Sequence, residues 1–147
     1  MTIWYGGEIP DPDKLQGVAG DDLAGRLGIR LSAFGEDYLS GTMPVDERTR
    51  QPYGLLHGGA SVALAETLGS IGGALTLDRR RHGVVGLDIN ANHVRGVRDG
   101  LVTGTARPLH RGRSTQVWGI DIADADGRLV CVSRLTLAVV DRERIDS

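Results

Sequence analysis

Hydrophobic and polar positions change their rhythm three times along the chain. From Gln51 to Leu77 there is one formally charged side chain, Glu66, set among Val62, Ala63, Leu64, Ala65, Leu68 and Ile71. Apolar residues occur around nearly the whole circumference from Ala60 to Leu77, which predicts a helix covered on most sides by its own protein. That helix fades through Gly72-Gly73 and closes near Asp78, where Arg79, Arg80 and Arg81 suit its C-terminal dipole. The period then becomes two. Val84 to Val94 predicts a strand, with Val85, Leu87 and Ile89 on one side and Asp88, Asn90 and Asn92 on the other. Asp99-Gly100 marks a hairpin into Leu101 to Leu109, and Arg111-Gly112-Arg113 a second turn. Ser114 to Ala123 follows, with Gln116, Trp118, Ile120 and Ile122 on one face, then Asp126-Gly127 and a last strand from Arg128 to Val140.

The first fifty residues are less regular. Short helices are predicted from Asp13 and over Asp21 to Leu27, the second with Asp21 as N-cap and Gly28 as terminator. Strands follow at Ile29 to Phe34 and Tyr38 to Val45, joined by the turn Gly35-Glu36-Asp37, and a charged loop spans Asp46 to Arg50. The charged tail from Asp141 to Ser147 reads as frayed. The pattern predicts one α+β domain over residues 1–147, an antiparallel sheet of five or six strands curved around one apolar helix.

Composition narrows the function classes. A net charge of −2 gives no support to nucleic-acid binding, which needs a basic excess. The single cysteine, Cys131, allows no internal disulfide and fits a reducing compartment. The one long apolar run contains Glu66 and several glycines, so neither a membrane span nor a signal peptide is expected, and the expected location is cytoplasmic.

The chemistry concentrates on the apolar helix. A carboxylate there is costly to ionise unless it has partners, so Glu66 is expected to be held by hydrogen bonds or to resist ionisation. His57-Gly58-Gly59 precedes the run, and glycines at a helix start let another group approach the free N–H groups of the first turn. That end attracts negative charge. Anion-stabilising donors and a lone acid are the two halves of an acyl-transfer site. Eight residues separate Gly58 from Glu66, about 12 Å along the axis, too far for both to touch one carbonyl carbon. A second copy running antiparallel across a two-fold axis would bring one chain's Gly58 beside the other's Glu66, which predicts a homodimer with shared sites.

QPYGLLHGGASVALAETLGSIGG, GLDINANHVR and PLHRGRSTQVWGIDI together resemble the hotdog-fold acyl-CoA thioesterases. The likeness covers almost the whole chain and is closest to the branch holding hydroxybenzoyl-CoA thioesterase of the acid-on-helix type and the dihydroxynaphthoyl-CoA thioesterase of menaquinone synthesis. It implies that Glu66 is the catalytic carboxylate, as nucleophile or as base for a water, and that the Gly58 amide is the oxyanion donor. It also implies that Gln51 and His57 support the thioester from the opposite chain, that Ser70 helps place the water or acid, and that His93 is a pocket residue. Arg111, Arg113, Ser114 and Thr115 fall in the turn that meets CoA phosphates in relatives. The implied assembly is a dimer, or a homotetramer built as a dimer of dimers. An acyl-CoA is the small-molecule partner, an aromatic acyl group is favoured over a fatty one, and no cofactor is implied beyond the coenzyme A of the substrate.

Other readings compete on the residues alone. Ser70 has the spacing to bond back to a helix carbonyl, and an arginine-bearing turn is often only solvated. Cys131 lies on an apolar face and is expected to pack; His82 and His110 have no partners at metal-ligand spacing, so no metal site is expected. Two alternatives of other classes remain open at this point. An enoyl-thioester dehydratase or hydratase would exchange water without releasing thiol, and a non-catalytic acyl-CoA-binding module would bind without turnover.

Overall fold

A computed structural model describes residues 1–15 and 20–147. The elements are α1 (Pro12–Leu15), α2 (Leu23–Arg26), β1 (Arg30–Phe34), β2 (Leu39–Pro44), α3 (Gly58–Leu75), β3 (His82–His93), β4 (Leu101–Arg111), β5 (Thr115–Ala123), β6 (Leu129–Asp141) and α4 (Arg142–Asp146). The strands form one antiparallel sheet of six in the order β1-β2-β4-β5-β6-β3, with α3 lying across one face. This is the hotdog arrangement.

The helix approaches the sheet closely because it has glycines where side chains would collide. A Cβ on Gly69 would come within 2.6 Å of Leu135, on Gly72 within 2.8 Å of Trp118, and on Gly73 within 2.6 Å of Leu137. Each glycine costs a helix about 1 kcal/mol relative to alanine. Here that cost is offset by burial of Leu64, Leu68, Trp118, Ile120, Leu135 and Leu137, all fully excluded from solvent. From the sheet side, Gly41 and Gly104 leave room for Leu68.

A polar chain fixes the C-terminal end of α3. Trp118 Nε1–H donates to Gln116 Oε1 at 2.8 Å, Gln116 Nε2–H donates to Thr76 Oγ1 at 3.1 Å, and Thr76 Oγ1–H donates to the Gly73 carbonyl at 2.8 Å. Gln116 is buried, and both ends of its amide are satisfied. The N-terminal segment crosses the same end of the helix. Tyr5 N–H donates to the Leu75 carbonyl, and the buried Trp4 indole donates to the Gly35 carbonyl while meeting Phe34 edge-on.

Several boundaries differ from the sequence expectations. The helix starts at Gly58, because the His57 imidazole caps it, and ends at Leu75, where Thr76 closes the last turn. Asp22 rather than Asp21 is the N-cap of α2, accepting from Gly25 N–H. The last residues are not frayed; α4 forms there, and Ile145 packs against Gly83. The largest correction concerns β3. A bulge between Gly86 and Asp88 leaves Leu87 unpaired and shifts the alternation by one residue. Val84 and then Ile89 and Ala91 pack against the core, whereas Val85 and Leu87 are exposed at the open edge of the sheet. Among the described residues, no helix is long and apolar enough to cross a membrane.

Candidate active site

The start of α3 is built by a loop that folds back on itself. His57 N–H donates to the Thr49 carbonyl, Arg50 and Leu56 form an isolated bridge, and Arg50 Nε–H donates to the Arg98 carbonyl. Thr49, almost fully buried, ties the loop down by donating to the Pro44 carbonyl. Gln51 Oε1 accepts from Tyr53 N–H, and its amide NH₂ has no partner among the described residues.

The first turn of α3 leaves one amide unused. Gly59 N–H donates to His57 Nδ1 at 2.8 Å, while Ala60 and Ser61 N–H both reach the His57 carbonyl. Gly58 N–H has no acceptor among the described residues. It is a free donor at the positive end of an 18-residue helix, where developing negative charge is stabilised. Because His57 Nδ1 accepts, its Nε2 carries the ring proton and is also a donor.

His93, the last residue of β3, completes this end. Its imidazole lies so close that a Cβ on Gly58 would come within 2.8 Å of Nε2, which gives a packing reason for glycine at 58. The structure therefore brings His57, Gly58 and His93 together, although His93 is 35 residues further along the chain.

Glu66 lies elsewhere on the same helix. It is half-buried, and its carboxylate has no hydrogen-bond or ion-pair partner among the described residues, so the expected hydrogen bonds are not found within one chain. Its Oε1 rests against β3, 2.7 Å from where a Cβ on Gly86 would stand. Ser70 follows one turn later, its hydroxyl also without a protein partner among the described residues. Ser70 and Thr67 line a half-open cavity of about 690 Å³, together with Leu23, Ile29, Leu31 and Ile71.

The turn Arg111 to Thr115 lies past the C-terminal end of α3, beyond the Gln116–Thr76 contact. Arg111 reaches the Ile3 carbonyl, and Arg113 is exposed with no partner among the described residues. This turn does not meet the Gly58 end in one chain. Cys131 packs in the core as expected; burial, together with the nearby negative charge of Asp121, pushes its thiol up.

Comparison with known proteins decides the family. A family model described as the thioesterase superfamily matches residues 53–131. The 1,4-dihydroxy-2-naphthoyl-CoA hydrolase of Escherichia coli is 52% identical over 128 residues, 87% of this chain and 93% of that protein. The chain belongs to the hotdog-fold thioesterase superfamily. A proofreading thioesterase, EntH, of Cronobacter turicensis is likewise 52% identical over 87% of this chain and 93% of its own length. A crystal structure of a thioesterase from Haemophilus influenzae superposes with a TM-score of 0.90 at 51% identity, covering 96% of each chain.

For this thioesterase, two site features were absent from the sequence reading. Gly86 was not singled out, though an isolated glycine inside an alternating strand signals a bulge or a close approach. The apolar cavity beside Ser70 was not foreseen, because its walls come from α2, β1 and α3 together.

Proposed function

We propose that this thioesterase hydrolyses aromatic acyl-CoA thioesters, of the dihydroxynaphthoyl or hydroxybenzoyl kind, in sites shared between two copies of the chain. One observation carries the proposal: a free Gly58 amide and an unpartnered Glu66 carboxylate stand on one helix about 12 Å apart along the axis. One carbonyl cannot touch both in the same chain. The long β3 edge, with Val85 and Leu87 exposed beside a bulge, is the surface on which a second copy pairs. On β3, Gly86 lies under Glu66 and His93 beside Gly58. Antiparallel pairing that sets Gly86 of one copy opposite His93 of the other passes the two-fold through Asn90, once Leu87 is counted as the bulged residue.

In such a site the thioester oxygen accepts from Gly58 N–H of one copy, with His57 Nε2–H and the Gln51 amide as further donors. Glu66 of the other copy either takes a proton from water as that water attacks the carbonyl carbon, or attacks the carbon itself. The tetrahedral oxyanion then collapses and the carbon–sulfur bond breaks; after water attack Glu66 returns its proton to the sulfur and CoA leaves as its thiol, whereas direct attack expels CoA as a thiolate that takes its proton from solvent. Direct attack leaves an anhydride that water cleaves to restore Glu66. Ser70 steadies the water or the acid, and His93 flanks the thioester. The acyl group occupies the apolar cavity beside Ser70, whose size falls within the range of about 300–1,000 Å³ usual for small-molecule sites. The Arg111–Thr115 turn lies about 15 Å from Glu66 along the α3 axis, within reach of the phosphates of an extended CoA arm.

The test is thiol release from a panel of aromatic and aliphatic acyl-CoAs. Glu66→Gln should lower kcat by orders of magnitude with an unchanged melting temperature, and aromatic substrates should lead the panel by kcat/KM. Near-wild-type turnover by Glu66→Gln would remove Glu66 from the chemistry; preference for fatty acyl groups would remove the aromatic assignment.

A further inference from the structure

We propose that Gly86 is a positioning residue for the catalytic carboxylate. It gives Glu66 a seat without a side chain on β3, and it leaves one chosen carboxylate oxygen to do the chemistry. This deepens the assignment of Glu66 above and rests on it.

A Cβ at position 86 would stand 2.7 Å from Glu66 Oε1 and 3.8 Å from its Cδ, with no other described residue beyond its chain neighbours Val85 and Leu87 within 4 Å. Oε1 thus lies against the strand backbone while Oε2 is more than 4 Å from the same point. The carboxylate is held edge-on: one oxygen faces the strand and the other faces away from it. Gly86 does not occupy the left-handed backbone region, so backbone freedom does not explain a glycine there. Glycine inside a strand weakens it. The one close contact an added methyl group would make is with Glu66, so space for that side chain is what the glycine provides.

The bulge that follows serves the same site. Gly86 pairs with Leu137, and beyond the unpaired Leu87 the ladder resumes at Asp88 with Thr136. Without that extra residue the strand would carry Asp88, Asn90 and Asn92 on the helix side. With it, Gly86 keeps its place under Glu66 while Ile89, Ala91 and His93 turn toward α3. One inserted residue therefore puts the seat of the acid and the histidine beside Gly58 on one face. Bulges next to active sites commonly re-aim side chains in this way.

An alanine at 86 would push the carboxylate by about 0.7 Å to reach the 3.4 Å at which ordinary contact begins, from the 2.7 Å at which its Cβ would stand. Misplacement of a reacting group by about 1 Å costs roughly a hundredfold in rate. Gly86→Ala should therefore lower kcat roughly ten- to a hundredfold, with KM for the acyl-CoA within about twofold of wild type. The melting temperature should hold, since alanine suits a strand better than glycine. Gly86→Ser, similar in bulk, is run beside it so that a folding failure in one variant does not remove the comparison.

The discriminating measurement is a cycle with Glu66→Asp, whose carboxylate is one methylene shorter and does not reach the strand. In that background Gly86→Ala should cost little or nothing further in kcat, because the contact it disrupts is already gone. A purely structural weakening of β3 would cost the same factor in both backgrounds. Folded Gly86→Ala with kcat within about twofold of wild type, or an equal loss in the Glu66→Asp background, overturns the assignment. An active Glu66→Gln enzyme would instead reject the role of Glu66 itself, so the two failures are told apart.

Discussion

Gly58→Pro tests the oxyanion donor when read against Gly58→Ala, because proline lacks the N–H that alanine keeps. Gly58 is the first residue of α3, the helical position where proline is best tolerated because its N–H has no intrahelical partner. His57 before it is extended, with φ −67° and ψ 130°, a conformation compatible with a following proline. The substitution also adds a Cβ that would meet His93 Nε2 at 2.8 Å, so the exposed imidazole must swing aside. Gly58→Ala introduces the same collision and keeps the N–H. The difference between the two variants is therefore the amide. Loss of one oxyanion donor costs about 10²–10³ in kcat, or roughly 3–4 kcal/mol of transition-state stabilisation. Gly58→Pro should fall below Gly58→Ala by about that factor in thiol release from an aromatic acyl-CoA, with matching circular dichroism and melting curves. Turnover of the two within about threefold of each other would refute the amide's role. Mixing then asks where the donor acts. In an exchanged equimolar mixture of Gly58→Pro and Glu66→Gln chains, half the dimers are mixed and each has one intact site, so about a quarter of wild-type activity should return. No recovery after demonstrated exchange would refute sharing between copies.

Other expectations follow from the same geometry. Arg113→Ala should raise KM for CoA thioesters more than for short thioesters lacking the nucleotide; equal effects would deny the turn a phosphate role. Asn90→Cys should cross-link two chains under mild oxidation, since residues facing each other across antiparallel strands have Cα atoms about 4.5–5.5 Å apart, within disulfide reach. Cross-linking at Asp88→Cys or Asn92→Cys but not at 90 would move the two-fold axis.

Much of this fold was legible because local and global signals agree. Strand β5 alternates cleanly, Asp99-Gly100 leads into β4, and Arg111-Gly112-Arg113 and Asp126-Gly127 separate β4, β5 and β6, with Gly100 and Gly127 at φ +80° as such turns require. The helix was legible because Glu66 is its one charged side chain and apolar residues occupy most of its circumference. Strand β3 was misassigned by face because alternation carries no mark of an extra residue: Val85, Leu87 and Ile89 keep perfect period two, yet only Ile89 packs inward. The site divides along the same line. His57, Gly58 and Glu66 lie on one stretch and one helix, so spacing alone related them. The approach of His93 to Gly58 is created by the sheet, and no pattern local to either partner encodes it; at Gly86 the glycine marks a close approach but does not name Glu66 as its partner. The tail was misread for a related reason: its charged composition hides Ile145, whose contact with Gly83 helps order the last turn.

The hydrogen bond from Gln116 to Thr76 has a mechanical consequence for Glu66, ten residues upstream of Thr76 on the same helix. A rod clamped at one end neither slides nor unscrews without pulling Thr76 away from the Gln116 amide, which the Trp118 indole holds in place from the same strand. Advancing α3 by a single residue would turn every group on it by about 100° and carry the acid off its landing on the strand. The far end of the helix thereby keeps the phase of the near one, and shape selection of the acyl group can vary along the cavity wall while the axial setting of the acid stays fixed.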